Sequence, residues 1–118
     1  MEYVVLLYGN ETTWEQADAD TRTKAFADHT EFSRVLAARG HTITGGAELR
    51  STRTAMTVRG TAASVTVTDG PFAETAEQLG GFYVVETDDL DDLTKLVGII
   101  SGGDPVEIRP CVPSEEQQ

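Results

Sequence analysis

Glu2-Tyr3-Val4-Val5-Leu6-Leu7-Tyr8 is apolar or aromatic at every position after the first. Read as a strand, it points Tyr3, Val5 and Leu7 one way and Val4, Leu6 and Tyr8 the other. Both faces are largely apolar, so such a strand has to be covered on both sides. Phe82 to Glu86 repeats the pattern, with apolar side chains on both faces. The rest of the chain determines what can cover them.

Between these two strands the chain alternates between periods. Thr13 to Asp20 is a polar lead-in with a helical turn around Trp14. A helix follows to about Arg39 and stops at Gly40, a usual residue just past a helix end. Its apolar stripe is Ala25, Phe32, Val35 and Leu36, with His29 on the same side and Arg22, Glu31 and Arg34 opposite. His41 to Ala47 reads as a strand ended near Gly45 and Gly46. Ala55 to Arg59 and Ser64 to Thr68 alternate as a hairpin. One face carries Met56, Val58, Val65 and Val67, with threonines opposite. Asp69-Gly70-Pro71-Phe72 breaks the pattern and turns the chain. Ala73 to Gln78 is read as a short turn before the strand at Phe82. A second helix spans Leu90 to Ile100, capped by Asp88 or Asp89, with Leu90, Leu93, Val97 and Ile100 as its stripe. Val106 to Arg109 is the last strand. One domain is expected over 1–112, with a mobile tail over 113–118.

The order β-α-β-(ββ)-β-α-β is an α+β, ferredoxin-like βαββαβ plan with an extra hairpin. Two helices cover one face of its sheet, and no element remains for the other. A second copy of the chain is the economical cover, giving a homodimer with two stacked sheets.

Composition bounds the partners. The chain has 118 residues, which suits one domain, and carries 20 Asp and Glu against 9 Lys and Arg, a net charge of −11. Such a surface repels phosphate backbones and anionic lipid, so neither nucleic acid nor a membrane is an expected partner. The apolar run Val4 to Leu7 is too short for a membrane span. The lone Cys111 cannot form an internal disulfide, which fits a reducing, cytoplasmic setting.

Asp69 to Val85 reads DGPFAETAEQLGGFYVV, followed by the acidic helix start Asp88 to Asp92 and by Val106-Glu107-Ile108-Arg109-Pro110. Upstream stand Gly45 to Leu49 and Thr54 to Arg59. These segments resemble the DGPF branch of the YCII-related family. The resemblance implies a dimeric α/β barrel of ferredoxin-like subunits, and an active site around a His–Asp pair in a cleft near the dimer interface. One relative is similar to a dehydrochlorinase of a chlorinated hydroxyhydroquinone. Relatives are also often encoded beside extracytoplasmic-function sigma factors. On this resemblance His29 matches the helix histidine and Asp69 the aspartate, and the two are the expected catalytic residues. Gly98, Gly102 and Gly103 depart from the family pattern and predict a shorter or looser end to the second helix.

Each candidate has a structural reading beside the functional one. Asp69 makes its own turn by accepting backbone N–H bonds, or makes the turn and also presents a carboxylate for general-base work. His29 is a buried, hydrogen-bonded core residue, or an imidazole oriented by Asp69. Glu74 and Glu77 share a face if their segment is helical and form an acid–base pair, or that segment is a solvated turn capped through Thr75 and Gln78. Arg59, Phe72, Glu74 and Tyr83 are the candidate ligand contacts. Arg59 suits an anionic group, and Tyr83 is either core or cleft wall. His41, at a strand start, is expected at the surface. Two histidines with no ligand spacing and no cysteine cluster predict no metal site, and no motif calls for a cofactor. Two functions follow: a cofactor-independent lyase or isomerase acting on a small molecule, or a non-catalytic sensing module that binds a metabolite or a sigma factor.

Overall fold

Six strands and four helices, described over residues 1–117 in a computed structural model, follow the expected order. They are β1 (Glu2–Gly9), α1 (Glu11–Glu15), α2 (Ala19–Ala38), β2 (Thr42–Glu48), β3 (Met56–Thr61), β4 (Ser64–Asp69), β5 (Gln78–Glu86), α3 (Leu90–Leu96), α4 (Gly98–Ser101) and β6 (Val106–Pro110). Of the expected tail, Ser114–Glu116 forms a single 3-10 turn, and Gln118 lies outside the described residues.

The main sheet has the order β2-β5-β1-β6 and is antiparallel throughout, which fits the ferredoxin-like plan. The register Val5↔Tyr83 and Val5↔Ile108 puts these three side chains on one face. That face meets the helices. Val5 and Val85 from the sheet, Phe32 and Leu36 from α2, and Leu93, Val97 and Ile100 from the second helical segment form the core. Val4, Leu6, Phe82 and Val84 point away from it and are half-buried without any helix over them. β3 and β4 form a separate two-stranded ribbon that packs chiefly on itself.

Several expectations are corrected in detail. β2 runs on through Gly45 and Gly46 rather than ending there, because a bulge between Ile43 and Gly45 absorbs the irregularity. β5 begins at Gln78, four residues earlier than expected, since Gly81 pairs with both Leu7 and Glu48. The segment from Ala73 to Glu77 is not helical, so Glu74 and Glu77 share no helix face. The Gln78 amide instead donates to the carbonyls of Ala73 and Thr75. The second helix does divide at Val97, before Gly98, as its glycines predicted. Arg22 is not a solvated outer residue. It folds back over Trp14, 5.2 Å from the ring centroid, and donates to the Trp14 and Glu15 carbonyls at the end of α1.

Candidate functional site

A cleft of about 670 Å³ opens beside the turn at Asp69, Gly70 and Pro71. Three chain segments frame it, and each is held locally. Asn10 caps α1, its side chain accepting from the Thr13 N–H at 3.0 Å. Glu11 follows, and its carboxylate accepts from the Thr52 N–H and the Thr52 hydroxyl, both at 2.7 Å. Those bonds, with Arg53 nearby, hold the Glu11 carboxyl below its ordinary range, so it is an anion at neutral pH. Arg53 also lines the cleft but is paired with Glu15 at 2.6 Å.

The third segment is the turn itself. Gly70 adopts φ +101°, a backbone that side-chain-bearing residues rarely take. Its N–H donates to the Ala55 carbonyl at 2.7 Å, and its own carbonyl accepts from the Thr57 hydroxyl at 2.8 Å. The turn is thus held by backbone and by Thr57, and among the described residues no hydrogen bond engages the Asp69 carboxylate. Asp69 and Glu74 stand at the cleft as exposed carboxylates.

His29 is placed elsewhere. Its Nδ1 lies 2.6 Å from the Tyr83 hydroxyl, and the rings stack at 5.8 Å between centroids. Tyr83 leans in turn on Phe32, at 5.3 Å. Tyr83 is therefore a wall of the helix–sheet layer and not of the Asp69 cleft. Burial pushes the His29 imidazole below its usual range and the Tyr83 phenol above its own, so the pair is neutral at pH 7. Within one subunit the imidazole bonds Tyr83 and not Asp69. The other candidates are also apart. Arg59 lies on the ribbon opposite Thr66, and Phe72 is 81% exposed, outside the cleft lining.

A cluster that sequence reasoning missed lies at the other end of β2. His41, expected at the surface, is only 4% exposed. Its Nε2 meets Asp92 at 2.7 Å and its Nδ1 meets the Thr87 hydroxyl at 2.6 Å. Thr87 accepts from the Asp89 N–H, and Arg39 makes two bonds to Asp92, at 2.6 and 2.8 Å. Arg39 and His41 together hold the Asp92 carboxyl far below the ordinary carboxylate range. Both ring nitrogens of His41 are occupied, so this His–Asp pair has none left for a substrate. It fastens the start of β2 to the start of α3. The signal was in the helix end. With Gly40 just past α2, at φ +84°, the Gly40 N–H bonds to Ala37 and the His41 N–H to Leu36. His41 thus takes the position of a Schellman motif whose side chain packs back onto the helix.

Among the described residues no group of three or more His, Cys, Asp or Glu could hold a metal ion. Among the described residues no helix is long and apolar enough to cross a membrane.

A helix-backed antiparallel sheet with an open carboxylate cleft narrows the class, and comparison with known proteins completes the assignment. The YCII-related domain matches residues 1–100, and the chain belongs to the YCII-related family. It is similar to an uncharacterized protein of Rhizobium meliloti (strain 1021), 32% identical over 114 residues that cover 93% of this chain and 91% of that relative.

Proposed function

We propose that the chain is a small-molecule-binding protein whose ligand occupies the Asp69 cleft. The observation that carries this reading is the cleft itself, of about 670 Å³, with Asp69 presented to it by a turn that does not use its carboxylate. That volume is in the range of small-molecule sites. A carboxylate on a rigid turn suits proton abstraction without a cofactor, the chemistry of lyases and isomerases, with Asp69 as base and Glu74 as a polar contact. The Asp69-Gly70-Pro71-Phe72 turn supports membership of the DGPF branch.

The uncovered sheet face supports a homodimer. Val4, Leu6, Phe82 and Val84 form an apolar centre there, and a second copy would bury it. Within one copy the imidazole is turned to Tyr83, so a His29–Asp69 pairing of the kind the family resemblance implies would need the carboxylate of a second copy.

The competing reading is a sensing module with a sigma factor as partner, supported by the charge of −11, which suits a basic surface. One screen separates the two. Thermal shift against small cyclic acids and phenols should find a compound that stabilises the wild type. At 100 times its Kd such a compound adds about 2.7 kcal/mol. Asp69→Asn should lose that shift while keeping the unliganded melting temperature. Product formation from the same compound favours catalysis, and binding without turnover favours sensing. A compound that stabilises both proteins equally would place the ligand outside this cleft.

A further inference from the structure

The β3–β4 ribbon packs chiefly on itself. Register puts Met56, Val58, Val65 and Val67 on one face, and their exposures are 69%, 59%, 57% and 56%. A two-stranded ribbon is marginal on its own in water, and one that exposes four apolar side chains side by side is more costly still. The shape of the whole chain says the same. Its Cα radius of gyration is 16.5 Å, where a compact chain of this length has about 13.5 Å. Its accessible surface is 8223 Å², against about 6,200 Å² for a compact monomer of 12.7 kDa. The excess, about 2,000 Å², is the area one subunit contributes to a large permanent interface.

Charge lies off the apolar face of the ribbon. Residues 49–68 hold Arg50, Arg53 and Arg59 and no acid, in a chain whose net charge is −11. Arg59 is the single ionised side chain from Met56 to Thr68. It lies on the opposite, threonine face beside Thr66, and Arg53 is paired with Glu15, so the Met56, Val58, Val65 and Val67 face is uncharged and apolar; two copies related by a two-fold axis bury both such faces at once.

We propose that β3–β4 is an exchanged arm: its Met56, Val58, Val65 and Val67 face packs on a second copy of the chain. This rests on the dimer reading above and adds a second contact to it, distinct from the open sheet face. Asp69 pairs with Met56 and shares its face, so the cleft carboxylate lies at the rim of the contact and the second copy becomes a wall of the cleft.

Light scattering on wild type and on Val58→Asp/Val67→Asp tests it. The wild type should have twice the 12.7 kDa chain mass. The double variant should be monomeric at the same concentration, or dissociate at least tenfold more readily, while the control Thr66→Asp/Thr68→Asp on the opposite ribbon face stays dimeric. A double variant that remains as tight a dimer as wild type overturns the arm and leaves the sheet-face dimer standing. A monomeric wild type overturns both. Should the double variant misfold, hydrogen exchange on the wild type decides. Amides of residues 56–68 should gain protection as protein concentration rises through the dimer range, and protection independent of concentration refutes the arm.

Discussion

Replacing His41 with alanine should destabilise the fold by about 2–4 kcal/mol, although the side chain is remote from the cleft. The magnitude follows from its partners. The imidazole is nearly fully buried and bonds Thr87 and Asp92 at 2.6 and 2.7 Å. A neutral hydrogen bond contributes about 1 kcal/mol net and one to a charged group about 1.5–3 kcal/mol. Alanine also leaves a void in a buried position and takes from the Thr87 hydroxyl one of its two partners, both of which add to the loss. For a chain of this length 1 kcal/mol moves Tm by about 4 °C, so the expected fall is about 8–16 °C. Urea unfolding at fixed protein concentration, with midpoints converted through a common slope, measures it. Arg39→Ala is the internal comparison. Its guanidinium is 55% exposed, so solvent screens that bond and its loss should cost far less than loss of the imidazole. A His41→Ala loss below about 0.5 kcal/mol, or one no larger than that of Arg39→Ala, would refute the view that the imidazole fastens β2 to α3.

Asp92 gives the same cluster an acid limb. Its carboxyl is held below its unfolded range, so its contribution is fully present above about pH 4 and shrinks as pH falls below that. Urea midpoints from pH 5 to pH 2 should fall less steeply in Asp92→Asn than in wild type, and parallel curves would contradict the assignment. His29 has the opposite charge type but the same slope. Its imidazole is depressed by burial, so the unfolded chain takes up the proton first and stability declines as pH drops below about 6.5. His29→Gln should flatten that decline between pH 6.5 and 5 in the same assay. Tyr83→Phe removes the hydroxyl that meets His29 and should cost about 1 kcal/mol by urea unfolding. Phe32→Ala empties a fully buried site against Tyr83 and should cost about 3–5 kcal/mol, and a loss under 1 kcal/mol would mean the core closes over it.

The strands were legible because their side chains alternate and the helices because theirs recur every three to four residues. Phe32, Leu36 and Leu93, all named from periodicity, are fully buried. Boundaries failed where glycine permits more than one outcome. Gly45-Gly46 and Gly80-Gly81 look like strand ends, yet both pairs lie inside strands that face each other, where the missing side chains let two backbones approach. The pairing of His29 was not legible at all. A helix position fixes the direction of a side chain but not which residue of a distant strand meets it, and here Tyr83 does. His41 was legible in principle, through the helix end at Gly40. Reading it as the first residue of a strand hid its place as the residue that folds back under the helix. Asp69 was legible as a turn residue, but Thr57 and the Gly70 backbone hold that turn, which no local pattern announces.

β4 begins at Ser64, beside the tip of the ribbon, and ends at Asp69, in the cleft. Six extended residues span about 20 Å, so one strand joins the ribbon tip to the cleft carboxylate. A ligand in the cleft and a second copy on the ribbon, both as proposed above, would meet one and the same strand, and any coupling between them would be reciprocal.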